Sequence, residues 1–313
     1  MREAIVRCAR EELDRAVSEL SEGIRDDPVR AVHTARKAVK QERSLLRLAQ
    51  GSMSPKQRRR ENAALRGAAR ALSDARDGDV MIETLTQLSD RFAGQLPEEA
   101  FRSVRQELEL ARDAGREQLV GSALGTRSVQ ELGAVRLRVD DWQFVSGGWS
   151  AIDRGLMRSY RSGSKAFARA RTEGSLEDLH AWRKRVKDLW YQQRLLAPIC
   201  GAAVRGQAKE AHRLADVLGD DHDLGVLRQR LTDGRLDLPI DLDALVRLID
   251  HRRDELQAEA MYIGRRVYAE KPKAFERRMR RLWKAGRAAA KARRDRYPAE
   301  LAEATRQWNP PDL

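Results

Sequence analysis

Two short segments of the sequence share one pattern of basic residues. Each has a histidine, then an Arg-Lys pair three residues later, then a lysine three residues after that: His33, Arg36, Lys37 and Lys40, and His180, Arg183, Lys184 and Lys187. Arginine binds phosphate oxygens through two parallel hydrogen bonds, and lysine binds them as a compact point charge. The pattern therefore predicts binding of a ligand with closely spaced negative charges.

On a helix, each segment forms one basic face. Because an α-helix turns by about 100° per residue, these side chains fall within an arc of roughly 120°. We call the two faces the first basic stripe, with Arg43 and Arg47 added, and the second basic stripe, with Tyr191 and Arg194 added. No acidic residue lies in either arc, and Trp190 in the second stripe takes the place of Arg43 in the first.

An uncompensated row of positive charges is unfavourable without a ligand. Two like charges about 6 Å apart repel by roughly 2–3 kcal/mol at an effective dielectric constant near 20. Surface helices commonly reduce this repulsion with an acidic residue one turn away, and neither stripe does so within its arc. A polyanion would relieve the repulsion. A solvated basic surface remains the alternative for either stripe, and each histidine could instead bond to a neighbouring carbonyl or carboxylate.

The two segments belong to an internal repeat. The offset from His33 to His180 is 180 − 33 = 147 residues. A second pair of segments begins at Leu72 and Leu218 and contains Asp77 and Asp223, with an offset of 223 − 77 = 146. Two matched blocks in the same order predict two helical bundles related by an approximate two-fold axis and packed into one body.

Helical periodicity dominates the 313 residues, and strand patterns are nearly absent. Asp27-Pro28, Ser54-Pro55 and Ser175 are typical of helix starts. The sequence therefore predicts an all-α fold. We expect a first helical repeat over residues 1–125, a linker over 126–147, a second helical repeat over 148–300 and a poorly ordered tail over 301–313. The stretch from 135 to 145 is expected to be extended or part of the linker.

Composition limits the classes of function. The net charge is +13, from 61 Lys and Arg against 48 Asp and Glu, which favours an anionic partner. Two cysteines without a CxxC motif predict neither a disulfide framework nor a thiolate metal site. The charged N-terminus and the lack of a long apolar run predict a cytoplasmic protein without a signal peptide or a membrane contact. No cofactor is expected, and no oligomeric state is indicated.

The ordered motifs resemble those of the CHAD family, the conserved-histidine α-helical domains. The resemblance rests on the two HxxRKxxK segments, on LGDDHDLGVL from Leu218, and on GRRVYAEKPKAFERRMRRLW from Gly264. It implies two pseudo-symmetric bundles around a basic central cavity, binding of inorganic polyphosphate and association with polyphosphate granules. The ligand-contacting residues that it implies are those of the two basic stripes other than Arg47, with Tyr191 and Arg194 as additions to the shared pattern. Other polyanions stay open as partners.

Two other functions are considered. His222-Asp223 could belong to an HD-type metal-dependent phosphohydrolase, although the position that matches His222 in the first repeat is Arg76. A basic helical nucleic-acid-binding module would have the same charge, but aromatic residues for base stacking are sparse. Some family members also carry a triphosphate-tunnel enzyme with an ExExK motif, which is missing here. We therefore expect a binding protein and not an enzyme.

Overall fold

The computed structural model describes residues 1–24, 26–72, 77–120, 124–233 and 242–296. Over these ranges the chain forms eleven α-helices and no β-strand, so the predicted all-α fold is confirmed. None of the described helices is long and apolar enough to cross a lipid bilayer. The helices are α1 (Arg2–Ser18), α2 (Pro28–Leu48), α3 (Pro55–Ala71), α4 (Asp77–Arg91), α5 (Glu98–Val120), α6 (Leu124–Arg138), α7 (Asp153–Thr172), α8 (Leu176–Cys200), α9 (Ala202–Thr232), α10 (Leu242–Val267) and α11 (Pro272–Arg296).

The helices that carry the basic stripes, α2 and α8, begin at the predicted residues. The Asp27 carboxylate accepts a hydrogen bond from the backbone N–H of Arg30 at 2.9 Å, and Pro28 occupies the first helical position. The Ser175 hydroxyl accepts from the N–H of Asp178 at 3.1 Å. Both contacts satisfy N–H groups that a helix start leaves unpaired, so local sequence determines where each stripe begins.

Much of the segment that the sequence predicts to be a linker is helical. Helix α6 occupies residues up to Arg138 and buries Leu132 and Val135 completely against α1 and α3. Gly and Ser weaken the helical pattern there, but burial of one apolar face stabilises the helix. The boundaries of the two repeats stay a prediction. The tail over 301–313 lies outside the described residues.

Helices α2 and α8 cross each other directly. The Ser44 hydroxyl donates to the backbone carbonyl of Asp188 at 3.1 Å, and the Gln192 amide donates to the backbone carbonyl of Ser44 at 3.4 Å. The repeat offset pairs Ser44 with Tyr191, which lies within one turn of both Asp188 and Gln192. The two helices therefore cross close to positions that the repeat offset matches, and the two-fold relation between the repeats stays a prediction.

Helix α7 approaches the end of α2 very closely at Gly155. A Cβ atom there would lie only 2.0 Å from the Leu48 carbonyl oxygen, so no other residue fits without movement of the backbone. This contact packs α7 against the end of α2, close to the crossing. The parts of α2 and α8 that precede the crossing form two walls.

A candidate anion-binding cavity between α2 and α8

One cavity of about 720 Å³ lies between these two walls. Helices α2 and α8 supply most of its lining, and α4 and α9 contribute Val80, His212, Asp216, His222 and Asp223. Every residue of the two basic stripes lines this cavity except Arg194: His33, Arg36, Lys37, Lys40, Arg43 and Arg47, and His180, Arg183, Lys184, Lys187 and Tyr191. Sequence alone leaves open whether the stripes share a cavity, and in the structure they do.

Positive charge predominates in the lining. Nine Lys and Arg residues and three Asp residues line the cavity, which gives 9 − 3 = +6 with neutral histidines. Burial lowers the pKa of Lys184, and the nearby Arg185 and Arg43 lower it further. Burial likewise lowers the pKa of Arg43, with Arg47 and Arg66 adding to the effect. The cations thus destabilise one another, as expected where like charges are close.

Two equivalent lysines, Lys37 and Lys184, are central to this repulsion. Both side chains are exposed to the cavity solvent. Neither forms a salt bridge with a carboxylate in the described parts of the chain, whereas exposed arginines such as Arg91 and Arg102 do. Their ammonium groups are therefore available to an incoming anion, which need not displace a carboxylate first.

Two equivalent arginines, Arg36 and Arg183, are held against the second repeated motif. The Arg36 guanidinium donates to the carbonyl of Leu72 at 3.0 Å. The Arg183 guanidinium lies 3.8 Å from the Asp223 carboxylate and so close to Gly219 that a Cβ there would be 2.7 Å from its Nη2 atom. Both arginines are thus oriented by the block that follows the stripe. The side chain of Asp77, the predicted counterpart of Asp223, lies outside the described residues.

The stripe residues at the helix crossing are paired with carboxylates. Arg47 donates to Asp188 at 2.8 Å, and Arg185 lies 3.2 Å from the other oxygen of the same carboxylate. Arg194 does not line the cavity and lies 3.6 Å from Glu12 of α1. The expectation that the stripes lack acidic neighbours along their whole length is therefore wrong at this end. Asp188 is outside the arc of its own helix but reaches Arg47 across the crossing.

A stacked pair of histidines lies on the α8–α9 side of the cavity. The rings of His180 and His222 have centroids 4.1 Å apart and planes inclined by 25°. Burial lowers the pKa of His180 to about 4, with the neighbouring His222 and the cations Lys184 and Arg183 adding to this effect. The pKa of His222 is also lowered, first by burial and then by Arg183. Both rings are therefore neutral at pH 7, and a bound anion would favour their protonation.

Several lining residues are not predicted by the helical pattern. Arg185 lies outside the arc of the second stripe, and His212 and Asp216 come from α9. The repeated motif that begins at Leu218 is the one sequence signal that α9 belongs to the site. Within the described ranges, no group of three or more His, Cys, Asp or Glu side chains is arranged to hold a metal ion.

Comparison with known proteins agrees with this architecture. Residues 7–232 match the CHAD domain. The structure resembles that of PptA from Streptomyces chartreusis with a TM-score of 0.61 and 12% sequence identity, over 86% of this chain and 98% of that one. At this identity the likeness shows a shared fold. No match is found among curated proteins. Because the matched residues make up more than half of this chain, the chain belongs to the CHAD-domain family.

Proposed function

We propose that this protein binds inorganic polyphosphate in the cavity between α2 and α8. The observation that carries the proposal is that two equivalent basic stripes face one cavity whose lining has a net charge of +6. A chain of phosphates has one negative charge at each inner unit and can meet both rows of cations at once. Binding would release counterions from the polyphosphate and would relieve the repulsion between the cations of the protein. Both effects favour binding.

The length of the walls supports a linear ligand. From Arg36 to Arg43, ahead of the pair between Arg47 and Asp188, α2 rises by about 10 Å at 1.5 Å per residue, and the cationic side chains along this length are Arg36, Lys37, Lys40 and Arg43. A single phosphate would neutralise only part of such a row. A polymer would neutralise all of it, so affinity is expected to rise with chain length until the walls are filled.

The aromatic residues favour polyphosphate over nucleic acid in this cavity. Base recognition needs an open aromatic face. Trp190 and Tyr191 are only 8% and 9% exposed, and the Trp190 ring also contacts the rings of Tyr191 and His212 at centroid distances of 4.5 and 3.9 Å. Neither aromatic ring of the second basic stripe is therefore open for base stacking, and a ligand without bases fits the lining better.

We further propose that binding is not followed by hydrolysis and that it attaches the protein to polyphosphate granules. Family resemblance supports the second point. The first is supported by the position of Asp223, whose carboxylate lies beside Arg183. Phosphate release from polyphosphate with added Mg²⁺ or Mn²⁺ separates this proposal from a metal-dependent hydrolase. We expect no release above that of a buffer control, and turnover that depends on His222 would favour the hydrolase.

Binding is tested with polyphosphates of defined length and a variant in which the stripe lysines are reversed. In this cavity variant, Lys37, Lys40, Lys184 and Lys187 are replaced by Glu. We expect its affinity to fall by about 100-fold or more at low salt, because the lining loses its excess of cations. The matched control replaces four exposed basic residues of α3 by Glu: Lys56, Arg59, Arg60 and Arg70.

Both variants change the net charge by the same amount, so the control measures the effect of overall charge alone. Circular dichroism checks that each variant keeps its helices. Equal losses of affinity in the two variants would mean that the ligand responds to net charge and that the cavity is not the site. Unchanged affinity in the cavity variant would contradict the proposal outright.

A further inference from the structure

Helix α11 carries a second concentration of positive charge, separate from the cavity. It contains eleven Lys and Arg residues and two acidic ones, which gives 11 − 2 = +9 of the chain's +13. It packs against α7 and α8, and none of its residues lines the cavity. It also follows the residues that match the CHAD domain. The cavity therefore does not account for this charge.

The first half of α11 is anchored in the protein. Phe275 and Met279 are buried, and the Phe275 ring stacks on Tyr160 of α7 with centroids 3.9 Å apart. At Gly286 the helix meets the end of α8, where a Cβ atom would lie 1.6 Å from the Ile199 carbonyl oxygen. The described residues of α11 that follow this glycine are all exposed, so we take the anchored half to end there.

Beyond Gly286, α11 projects from the protein. Every residue from Arg287 to Arg296 is exposed, which is unusual for ten consecutive helical residues, since a packed helix buries one face. The apolar residues of this projection are four alanines, which give it little apolar area to bury against a partner. This segment, which we call the basic arm, measures about 14 Å at 1.5 Å per residue.

The basic residues of the arm lie on more than one side of the helix. At about 100° per residue, Arg287, Lys291 and Arg294 share one side, and Arg293 lies about 100° or more from each of them. A single-stranded polyanion lying along the helix would need basic residues on one side only. Charges on both sides suit a ligand that surrounds the helix, with a phosphate backbone on each side.

We propose that the basic arm binds the major groove of double-stranded DNA without sequence preference. The major groove of B-form DNA is about 12 Å wide and admits an α-helix, whereas the deep, narrow major groove of duplex RNA does not. Ala288 and Ala292 leave room for the helix to approach the groove floor, on a side that Asp295 shares at the far end. The basic side chains reach the phosphates on the two edges of the groove, and the arm carries no Asn or Gln for contacts to adenine.

The same helix extends the contact surface toward the protein. Arg277, Arg280 and Lys284 are exposed on the anchored half and share the side of Arg287 by helical geometry. They would contact the phosphates that follow on one strand. Because α11 and the cavity do not overlap, one protein molecule would hold DNA and polyphosphate at the same time.

The test measures binding of a short random-sequence DNA duplex to a variant with Lys291, Arg293 and Arg294 replaced by Glu. We expect the DNA affinity of this arm variant to fall about tenfold or more. The slope of log K against log salt should fall by about 0.9 for each phosphate that the variant no longer neutralises. Its affinity for polyphosphate should change less than about twofold, since the cavity is intact. A control with Lys56, Arg59 and Arg60 replaced by Glu should keep most of the DNA affinity.

Each of the following results would overturn the proposal. If the arm variant binds DNA as tightly as the unaltered protein, the DNA site lies elsewhere. If the unaltered protein shows no DNA binding, the proposal is wrong. DNA affinity that disappears only in the cavity variant places DNA in the cavity. Polyphosphate affinity that disappears in the arm variant shows that α11 holds polyphosphate. If the basic arm is the DNA site, the cavity variant keeps its DNA affinity. This result does not depend on whether the cavity binds polyphosphate, so the two proposals are tested separately.

Discussion

Lys37 and Lys184 differ from Arg47 and Arg194 in what surrounds them, although all four belong to the basic stripes. Each pair is related by the same offset of 147 residues and lies on the same two helices. The lysines face the cavity and form no salt bridge with the described residues. Each arginine lies near a carboxylate, Arg47 at 2.8 Å from Asp188 and Arg194 at 3.6 Å from Glu12.

The helix crossing explains this difference. Before the crossing, α2 and α8 diverge and leave space in which cations face each other across solvent. At the crossing the helices are too close for unpaired charges, because burial without a counter-charge is strongly unfavourable. One sequence pattern therefore supplies the proposed ligand-binding residues at one end of a stripe and residues of structural ion pairs at the other.

The largest effect is expected at Asp188, which joins the two stripes. Its side chain is 7% exposed and pairs with Arg47 and Arg185. Asp188→Asn leaves these guanidinium groups without a buried counter-charge, so the free energy of unfolding should fall by about 3 kcal/mol. Polyphosphate affinity should hold or rise, because the cavity gains positive charge. Urea unfolding and binding assays measure the two quantities.

Asp216→Asn is the control for this prediction. Asp216 also lines the cavity, but its side chain is 55% exposed and pairs only with His212 among the described residues. Its replacement should change the unfolding free energy by no more than about 0.5 kcal/mol. If both variants were destabilised equally, the crossing would not be the structural end of the stripes.

A smaller effect is expected at the cavity lysines. The double variant Lys37→Gln, Lys184→Gln removes two charges that have no ion-pair partner among the described residues. Polyphosphate affinity should fall about tenfold, the equivalent of about 1.4 kcal/mol, while the unfolding free energy changes by less than about 0.5 kcal/mol. A loss of stability without a loss of affinity would reverse the assignment of this pair.

The pairing of Arg194 predicts a change in stability and little change in binding. Arg194→Gln removes the interaction with Glu12, which also accepts a hydrogen bond from Gln41 at 3.1 Å. We expect the unfolding free energy to fall by about 1 kcal/mol and polyphosphate affinity to stay within about twofold. An affinity loss of about tenfold, as expected for the double variant of Lys37 and Lys184, would place Arg194 in the binding site.

The smallest effect is the pH dependence of the histidine pair. The folded-state pKa of His180 is about 4 and its ordinary value is 6.5, so the unfolded chain binds more protons between these pH values. Stability without ligand should therefore fall as pH falls through this window. A bound polyanion raises the pKa of His180, so affinity should rise severalfold over the same window.

Isothermal titration calorimetry in two buffers of different ionisation enthalpy tests this sign. We expect proton uptake on binding near pH 5 and a smaller uptake in His180→Gln, in which His222 can still respond. Proton release, or an uptake that is undiminished in this variant, would show that His180 does not respond to the ligand.

The helices and the stripes are predictable from the sequence because both depend on local rules. Asp27 and Ser175 are N-caps, and the spacing from Arg36 to Lys40 defines one face of α2 whatever lies beyond it. Helix α6 is not predictable in this way, because its stability comes from the burial of Leu132 and Val135 against distant helices. Local pattern is weak evidence where tertiary packing decides.

The same reasoning explains which site residues could be predicted. The repeat offset pairs the two stripes but does not say that they share a cavity, which depends on the contact between Ser44 and Asp188. The helical angle of Asp188 places this residue outside the binding face of its own helix. Its pairing with Arg47 spans 141 residues, and no local pattern reports such a contact.

The most direct test is a crystal structure of the protein with a short polyphosphate of defined length. The account predicts continuous phosphate density along the cavity, with oxygens within hydrogen-bond distance of the Nζ atoms of Lys37 and Lys184. Arg47 should keep its pair with Asp188 in the complex. An empty cavity with ordered phosphates only on the outer surface, as along α11, would contradict it.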